Sequence, residues 1–249
     1  MYEEFAFVYD EFMQEVPYEA WADYIEKIWE TWGCRPELVL DLACGTGNLT
    51  RILARRGYEM IAADQSEEML ELARAKAWED GTDILFLQQD MREFELYGTV
   101  GSIICTCDSL NYLLEEDELL RVFRLADNYL DPEGLFIFDV NTEYKFREVL
   151  ADQVRAETFE DAAYIWENSY DEEQKINEYL VTFFRREGEL YRRDEEAHYE
   201  RAYPAATLTA LLEQAGLKVL GVYDAFTLEP PRPDSERICF VAREQKKTK

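Results

Sequence analysis

Apolar positions follow three different rhythms along the chain. Over residues 1–33 they recur three and four apart (Trp21, Tyr24, Ile25, Ile28, Trp29, Trp32), the stripe of an amphipathic helix, with Gly33 and Pro36 ending it. Between 38 and 140, short apolar runs alternate with helix-length segments. Strands are predicted at 38–42, 58–63, 84–88, 102–107 and 135–140. Helices are predicted at 48–56, stopped by Gly57; at 66–78, capped by Ser66 with Glu67 and Glu68 in its first turn; and at 117–130, closed by Asp131-Pro132-Glu133-Gly134. Such alternation predicts an α/β fold, a parallel sheet with helices on both faces.

After residue 150 the rhythm changes to period two. The runs 163–170, 176–186 and 190–201, separated by Asp171-Glu172-Glu173 and Glu187-Gly188-Glu189, predict a small antiparallel sheet inserted into the α/β core. A helix at 204–215 with Gly216 behind it, and strands at 217–226 and 237–243, complete the pattern. The expected organisation is one domain, 1–249. It has a helical lid at 1–33, a core formed by 34–150 and 203–249, and an insert at 151–202 covering the crevice.

Composition narrows the class. The chain has 249 residues, 47% of them hydrophobic, enough for a sizeable core. Its 54 acids against 26 bases give a net charge of −28, which repels phosphate backbones and disfavours nucleic acid as a partner. A cationic or neutral small molecule suits that field better, and the same charge also serves solubility. The five cysteines are odd in number and lack zinc spacing, so no metal is expected; Cys105-Thr106-Cys107 reads as part of a core strand. Free thiols, an acidic start without a signal-peptide pattern and no bilayer-length apolar run predict a cytoplasmic protein without membrane association, monomeric or homodimeric.

The chemistry gathers at strand ends. The first strand runs into Ala43-Cys44-Gly45-Thr46-Gly47 and then a helix. Glycines there let backbone approach a ligand, and the helix start offers free amides to an anionic group. Asp64 ends the second strand, placed to accept both hydroxyls of a ribose. Asp90 and Met91 follow the third, suited to an adenine edge, and Asp108 follows the fourth. Each alone reads as a solvated turn. As a series at successive strand exits they read as a ligand site in the crevice where open α/β sheets bind. A nicotinamide site would need a third glycine, and Thr50 stands at that position.

With these residues in place, the chain resembles the class I S-adenosylmethionine-dependent methyltransferases, strongly over 38–140. It is most similar to a bacterial group of uncharacterised small-molecule-type members. The shared motifs are Tyr9-Asp10, Tyr18 with Trp21, Leu40 to Gly47, and His198-x-Glu200-Arg201-x-Tyr203. The resemblance implies a Rossmann-like seven-stranded sheet with the last strand antiparallel. It implies S-adenosylmethionine as cofactor and S-adenosylhomocysteine as product. It implies that Asp41, Ala43, Gly45, Gly47 and Asn48 line the methionine end, that Asp64 holds the ribose, and that Gln65, Asp90 and Met91 bind the adenine, with Met69 in the same cofactor-binding set. Asp108 would lie near the amino group and the acceptor, while Tyr9, Tyr18 and Trp21 close the cofactor in. Ala43 departs from the glycine common in the broad family.

For the acceptor, Asp108-Ser109-Leu110-Asn111-Tyr112 lacks the prolines of nucleobase amino-methyltransferases, and Cys107 lacks the Pro-Cys turn of base C5 methylation. The expected reaction is in-line transfer to nitrogen or oxygen of a small molecule. His198, the single histidine, is a candidate base, with Asp108 and Tyr144 as further catalytic candidates. Asn111, Tyr112, Asn141 and Arg201 are candidate acceptor-binding residues. The aromatic residues of the insert read either as the inner face of a packed sheet or as a partly apolar pocket wall. An RNA- or protein-directed methyltransferase, or a cofactor-binding sensor or assembly factor without catalysis, remains open on sequence alone.

Overall fold

Alternate residues of the central strands face opposite ways and meet two separate helical layers. The computed structural model describes residues 9, 10, 13 and 16–247. The helices are α1 (Tyr18–Thr31), α2 (Asn48–Arg55), α3 (Glu67–Asp80), α4 (Glu116–Tyr129) and α5 (Ala205–Ala215). The main sheet holds β1 (Leu38–Leu42), β2 (Glu59–Asp64), β3 (Ile84–Gln88), β4 (Val100–Cys105), β5 (Leu130–Asn141), β10 (Lys218–Asp224) and β11 (Arg237–Arg243). Its order is β10-β11-β5-β4-β1-β2-β3, and β11 runs antiparallel to both neighbours. The seven-stranded sheet with an antiparallel last strand is therefore present.

Leu40, Ile103, Phe136, Phe138 and Phe240 turn to one face, where α4 and α5 supply Val122, Phe123, Leu208 and Leu212. Phe138 stacks on Phe240 with ring centroids 5.0 Å apart. Their strand neighbours Val39, Ile104, Ile137 and Val241 turn to the other face, against Trp21, Ile25, Ile28 and Trp29 of α1 and Leu49 and Leu53 of α2. Trp29 Nε1 donates to Ser102 Oγ (2.9 Å), which satisfies the one polar atom of a large buried ring. Among the described residues no helix is long and apolar enough to cross a membrane.

The insert forms a separate antiparallel sheet in the order β6 (Val154–Thr158), β7 (Ala162–Asp171), β8 (Ile176–Glu187) and β9 (Leu190–Arg201). β6 escapes the sequence pattern because all five of its residues are exposed. The segment Lys145–Leu150, a π-type helical turn, was also not foreseen; it packs Phe146 and Leu150 against Tyr179, Val181 and Phe183 of β8.

Most boundaries shift by one or two residues, and two of the shifts change a reading. β4 starts at Val100 and ends at Cys105, so Cys107 is not on a core strand: Cys107 and Asp108 adopt φ of 59° and 58°, and this left-handed pair ends pairing. The expected turn 131–134 lies inside β5 as a bulge, since Val100 pairs with Leu130 but Ser102 with Leu135.

Candidate active site

The loop between β1 and α2 bends through three left-handed residues, Ala43 (φ 61°), Gly45 (55°) and Gly47 (72°). A Cβ on Gly47 would stand 3.0 Å from Ala73 Cβ of α3, whereas the space beside Gly45 is open. Left-handed backbone at position 43 explains why glycine suits it elsewhere. No side chain caps the first amides of α2. Asp64 pins the loop to β2: Oδ2 accepts from Gly45 N (2.8 Å) and Oδ1 from Ser66 N (2.9 Å). Burial raises the Asp64 pKa, against the pull of these amides. Gln65 is exposed beside it.

Two residues assigned to the cofactor turn away. Asp41 is buried and accepts from Thr50 Oγ1 (2.5 Å), so it braces the loop from behind; burial pushes it up to about 7. Met69 is buried at the start of α3, where its amide donates to Ser66 Oγ (3.2 Å).

Asp10, named in the Tyr9-Asp10 motif but given no role there, docks on the same loop. Asp10 Oδ1 accepts from Thr46 Oγ1 (2.6 Å) and Asn48 Nδ2 (2.9 Å), and Oδ2 pairs with Lys76 of α3. Lys76 also donates to Asn48 Oδ1 (3.0 Å). Burial works against the Asp10 charge, yet Lys76 and the donors hold its carboxyl below the usual range. Tyr18 lies in hydrogen-bonding contact with Asn48 and Tyr9, and burial raises its phenol pKa. Tyr9 packs on the apolar cluster of the insert. Trp21 does not join them: it is buried in the α1 layer, 4.5 Å from the Phe226 ring.

At the third exit, Asp90 is chelated by Arg92, whose backbone N (2.8 Å) and Nε (2.9 Å) both donate to Oδ1. Arg92 outweighs burial and lowers the Asp90 pKa. Met91, half-buried, packs against the core beside it.

Asp108 sits in a dense polar cluster. Its Oδ1 accepts from Arg237 Nη2 (2.7 Å), its Oδ2 from Asn141 Nδ2 (2.8 Å), and its amide donates to Asp139 Oδ2 (3.0 Å). Arg237 also pairs with Asp139. The same Asn141 nitrogen donates to Glu200 Oε2 (3.1 Å), Asn141 Oδ1 accepts from Lys145 (2.9 Å), and Tyr179 OH lies 3.3 Å from Glu200 Oε2. Burial opposes ionisation of Asp108, but Arg237 and Lys145 overcome it and its pKa falls. Asp139 and Glu200 go the other way, raised by burial. Left-handed backbone at two successive non-glycine residues costs about 1–3 kcal/mol each. The bonds to Asp139 and Arg237 hold Asp108 in that conformation.

The acceptor candidates divide. Asn111 and Arg201 serve the scaffold. Asn111 is buried with both ends of its amide bound to backbone, to Asn141 N (2.9 Å) and Arg201 O (2.8 Å); Arg201 donates to Leu114 O (2.7 Å). Together they tie the turn Ser109–Tyr112 to β9. Asn141 is enclosed in the Asp108 cluster, and Tyr144 is half-buried one residue before Lys145. His198 is buried, edge-on to Tyr112 at 6.0 Å and 3.6 Å from Glu196, and burial lowers its pKa to about 4. It is therefore neutral at pH 7.

Comparison with known proteins agrees with this geometry. The profile of a family described as a methyltransferase domain matches residues 39–134. YqeM of Bacillus subtilis (strain 168), a methyltransferase by name, is 37% identical over 247 residues, covering 99% of this chain and 98% of its own. The crystal structure of an S-adenosylmethionine-dependent methyltransferase from Clostridium acetobutylicum ATCC 824 superposes with a TM-score of 0.88 at 32% identity, covering 98% of this chain and 99% of that one. The sugar N-methyltransferase KedS8 from Streptoalloteichus sp ATCC 53650 shares the fold, with a TM-score of 0.79 at 21% identity over 96% of this chain and 93% of its own.

Proposed function

The chain belongs to the S-adenosylmethionine-dependent methyltransferases, and from that premise we propose that it methylates nitrogen or oxygen of a small molecule held between the ends of β4 and β5 and the inner face of the insert. The observation that carries this reading is the meeting of Glu200, from the insert, with Asp108 and Asn141 at the strand exits. A buried polar cluster at that seam is placed where an acceptor and a donor methyl converge. KedS8, a sugar N-methyltransferase by its description, lends support to nitrogen as the atom modified.

The residues fit the cofactor. The uncapped start of α2 and the open space at Gly45 suit the methionine carboxylate, with Gly47 and Asn48 beside it. Asp64 would take the ribose, and Asp90, Met91 and Gln65 the adenine. Tyr9, Asp10 and Tyr18 would close over the methionine end as a lid, and the insert would cover the acceptor. When bound, the cofactor supplies a methyl group on a sulfonium, an electrophile that needs alignment more than activation. Asp108 orients the acceptor and offers negative charge. His198, neutral with a depressed pKa, is a weak base, and Asp108, held ionised below the usual carboxylate range, is no stronger one, so Asp108 contributes orientation and charge rather than proton removal. Tyr144 remains a candidate contact.

Radiolabelled methyl transfer from S-adenosylmethionine to amines, hydroxylated metabolites and ribosomal RNA tests the acceptor class. Label in amine or hydroxyl fractions is expected. Label in RNA alone would overturn the small-molecule reading.

A further inference from the structure

We propose that Arg237 is a positioning residue for methyl transfer: its guanidinium, reaching from β11 across β5 to the turn after β4, fixes Asp108 as an oriented negative charge facing the transferred methyl group. Where that charge points rests on the placement of Asp108 proposed above; the clamp itself stands on the geometry.

The antiparallel last strand makes the reach possible. β11 runs against β5, so it starts where β5 ends, and its first residue, Arg237, stands opposite Asn141. In the sheet, β5 lies between β11 and β4. The Arg237 side chain crosses it: Nη1 pairs with Asp139 Oδ2 of β5, and Nη2 donates to Asp108 Oδ1 beyond β4 (2.7 Å). A guanidinium holds its nitrogens in one rigid plane, so two carboxylates bound to different nitrogens are fixed relative to each other. A lysine ammonium carries the same charge without the fork.

Asp139 is the anchor. It is fully buried, and its Oδ2 also accepts the Asp108 amide (3.0 Å). The Arg237–Asp139 pair therefore grips Asp108 by backbone and side chain together. Among the described residues Arg237 is the cation that ion-pairs with Asp108, while Lys145 donates to Asn141 Oδ1 (2.9 Å). The Asp108 side chain is 20% exposed and that of Asp139 is enclosed, so Asp108 is the carboxyl of the two that is open to a ligand. Arg237 and Asp139 already neutralise each other. Drawing Asp108 into a left-handed turn beside them costs stability, which a pair serving the fold alone has no reason to bear.

Isothermal titration of the full chain with S-adenosylhomocysteine and with sinefungin, the analogue bearing an ammonium where the cofactor bears its methyl group, tests this. An ionised, oriented Asp108 should make the unsubstituted protein prefer sinefungin by about tenfold. Arg237→Lys should lose most of that preference while binding S-adenosylhomocysteine as before. Asp108→Asn should lose it too, and adding R237K to D108N should change the preference no further, because Arg237 acts through Asp108. An intact preference in R237K, or additive losses in the double variant, would overturn the proposal. So would a parallel loss of both ligands in R237K, which would make Arg237 a residue of the fold alone. No preference in the unsubstituted protein, or one that D108N leaves unmoved, would refute the placement of Asp108 and the proposal with it.

Discussion

Gly47 carries two constraints at once, a φ of 72° and a hypothetical Cβ 3.0 Å from Ala73. Gly47→Ala should therefore cost roughly 1–3 kcal/mol, read as a lower midpoint in urea, with weaker cofactor binding. His198 makes a pH prediction. Its folded pKa of about 4 lies below the unfolded value near 6.5, so the unfolded chain binds the extra proton between those limits. Stability should fall as pH drops from about 6.5 to 4. His198→Asn should flatten that acid limb in thermal unfolding, and an unchanged limb would mean the imidazole is not held neutral. The residues legible from sequence were those whose neighbours in the chain announce them: the glycine loop, and acids immediately after apolar runs. Asp10, Lys76, Glu200 and Arg237 were not, because each matters through partners far along the chain; Arg237 reaches Asp108 across 129 positions. The motif pairs Tyr9-Asp10 and His198-x-Glu200 contain two of them, without marking a role for either.

The elements were more legible than the side chains they deliver. β1 and β3 match their predicted limits because short apolar runs flanked by turn residues mark strands, whether buried like β1 or half-buried at the sheet edge like β3. β6 has no such run, and the end of β4 depends on left-handed residues that no apolar pattern encodes. The segment preceding α1 gives a testable element-scale role. Asp10 joins it to the glycine loop and α3 through Thr46, Asn48 and Lys76. Charge-assisted bonds of this kind are worth about 1.5–3 kcal/mol when one partner is ionised. Asp10→Asn should speed cofactor dissociation by roughly tenfold in stopped-flow, with little change in the melting temperature, because 1.4 kcal/mol is a factor of ten. An equal loss of overall stability would mean Asp10 serves folding instead.

At the scale of the molecule, a parallel sheet exposes its strand ends on one side, and there the glycine loop, Asp64, Asp90 and Asp108 converge. The net charge of −28 argues against a polyanionic acceptor. The convergence depends on Asp64 holding the glycine loop, since its carboxylate receives amides from both Gly45 and Ser66. Isothermal titration with S-adenosylmethionine, on the unsubstituted chain and on Asp64→Ala, tests this most directly. The account predicts saturable binding at one site, weakened at least tenfold in the variant. No heat at high micromolar cofactor, or equal binding by the variant, would contradict it.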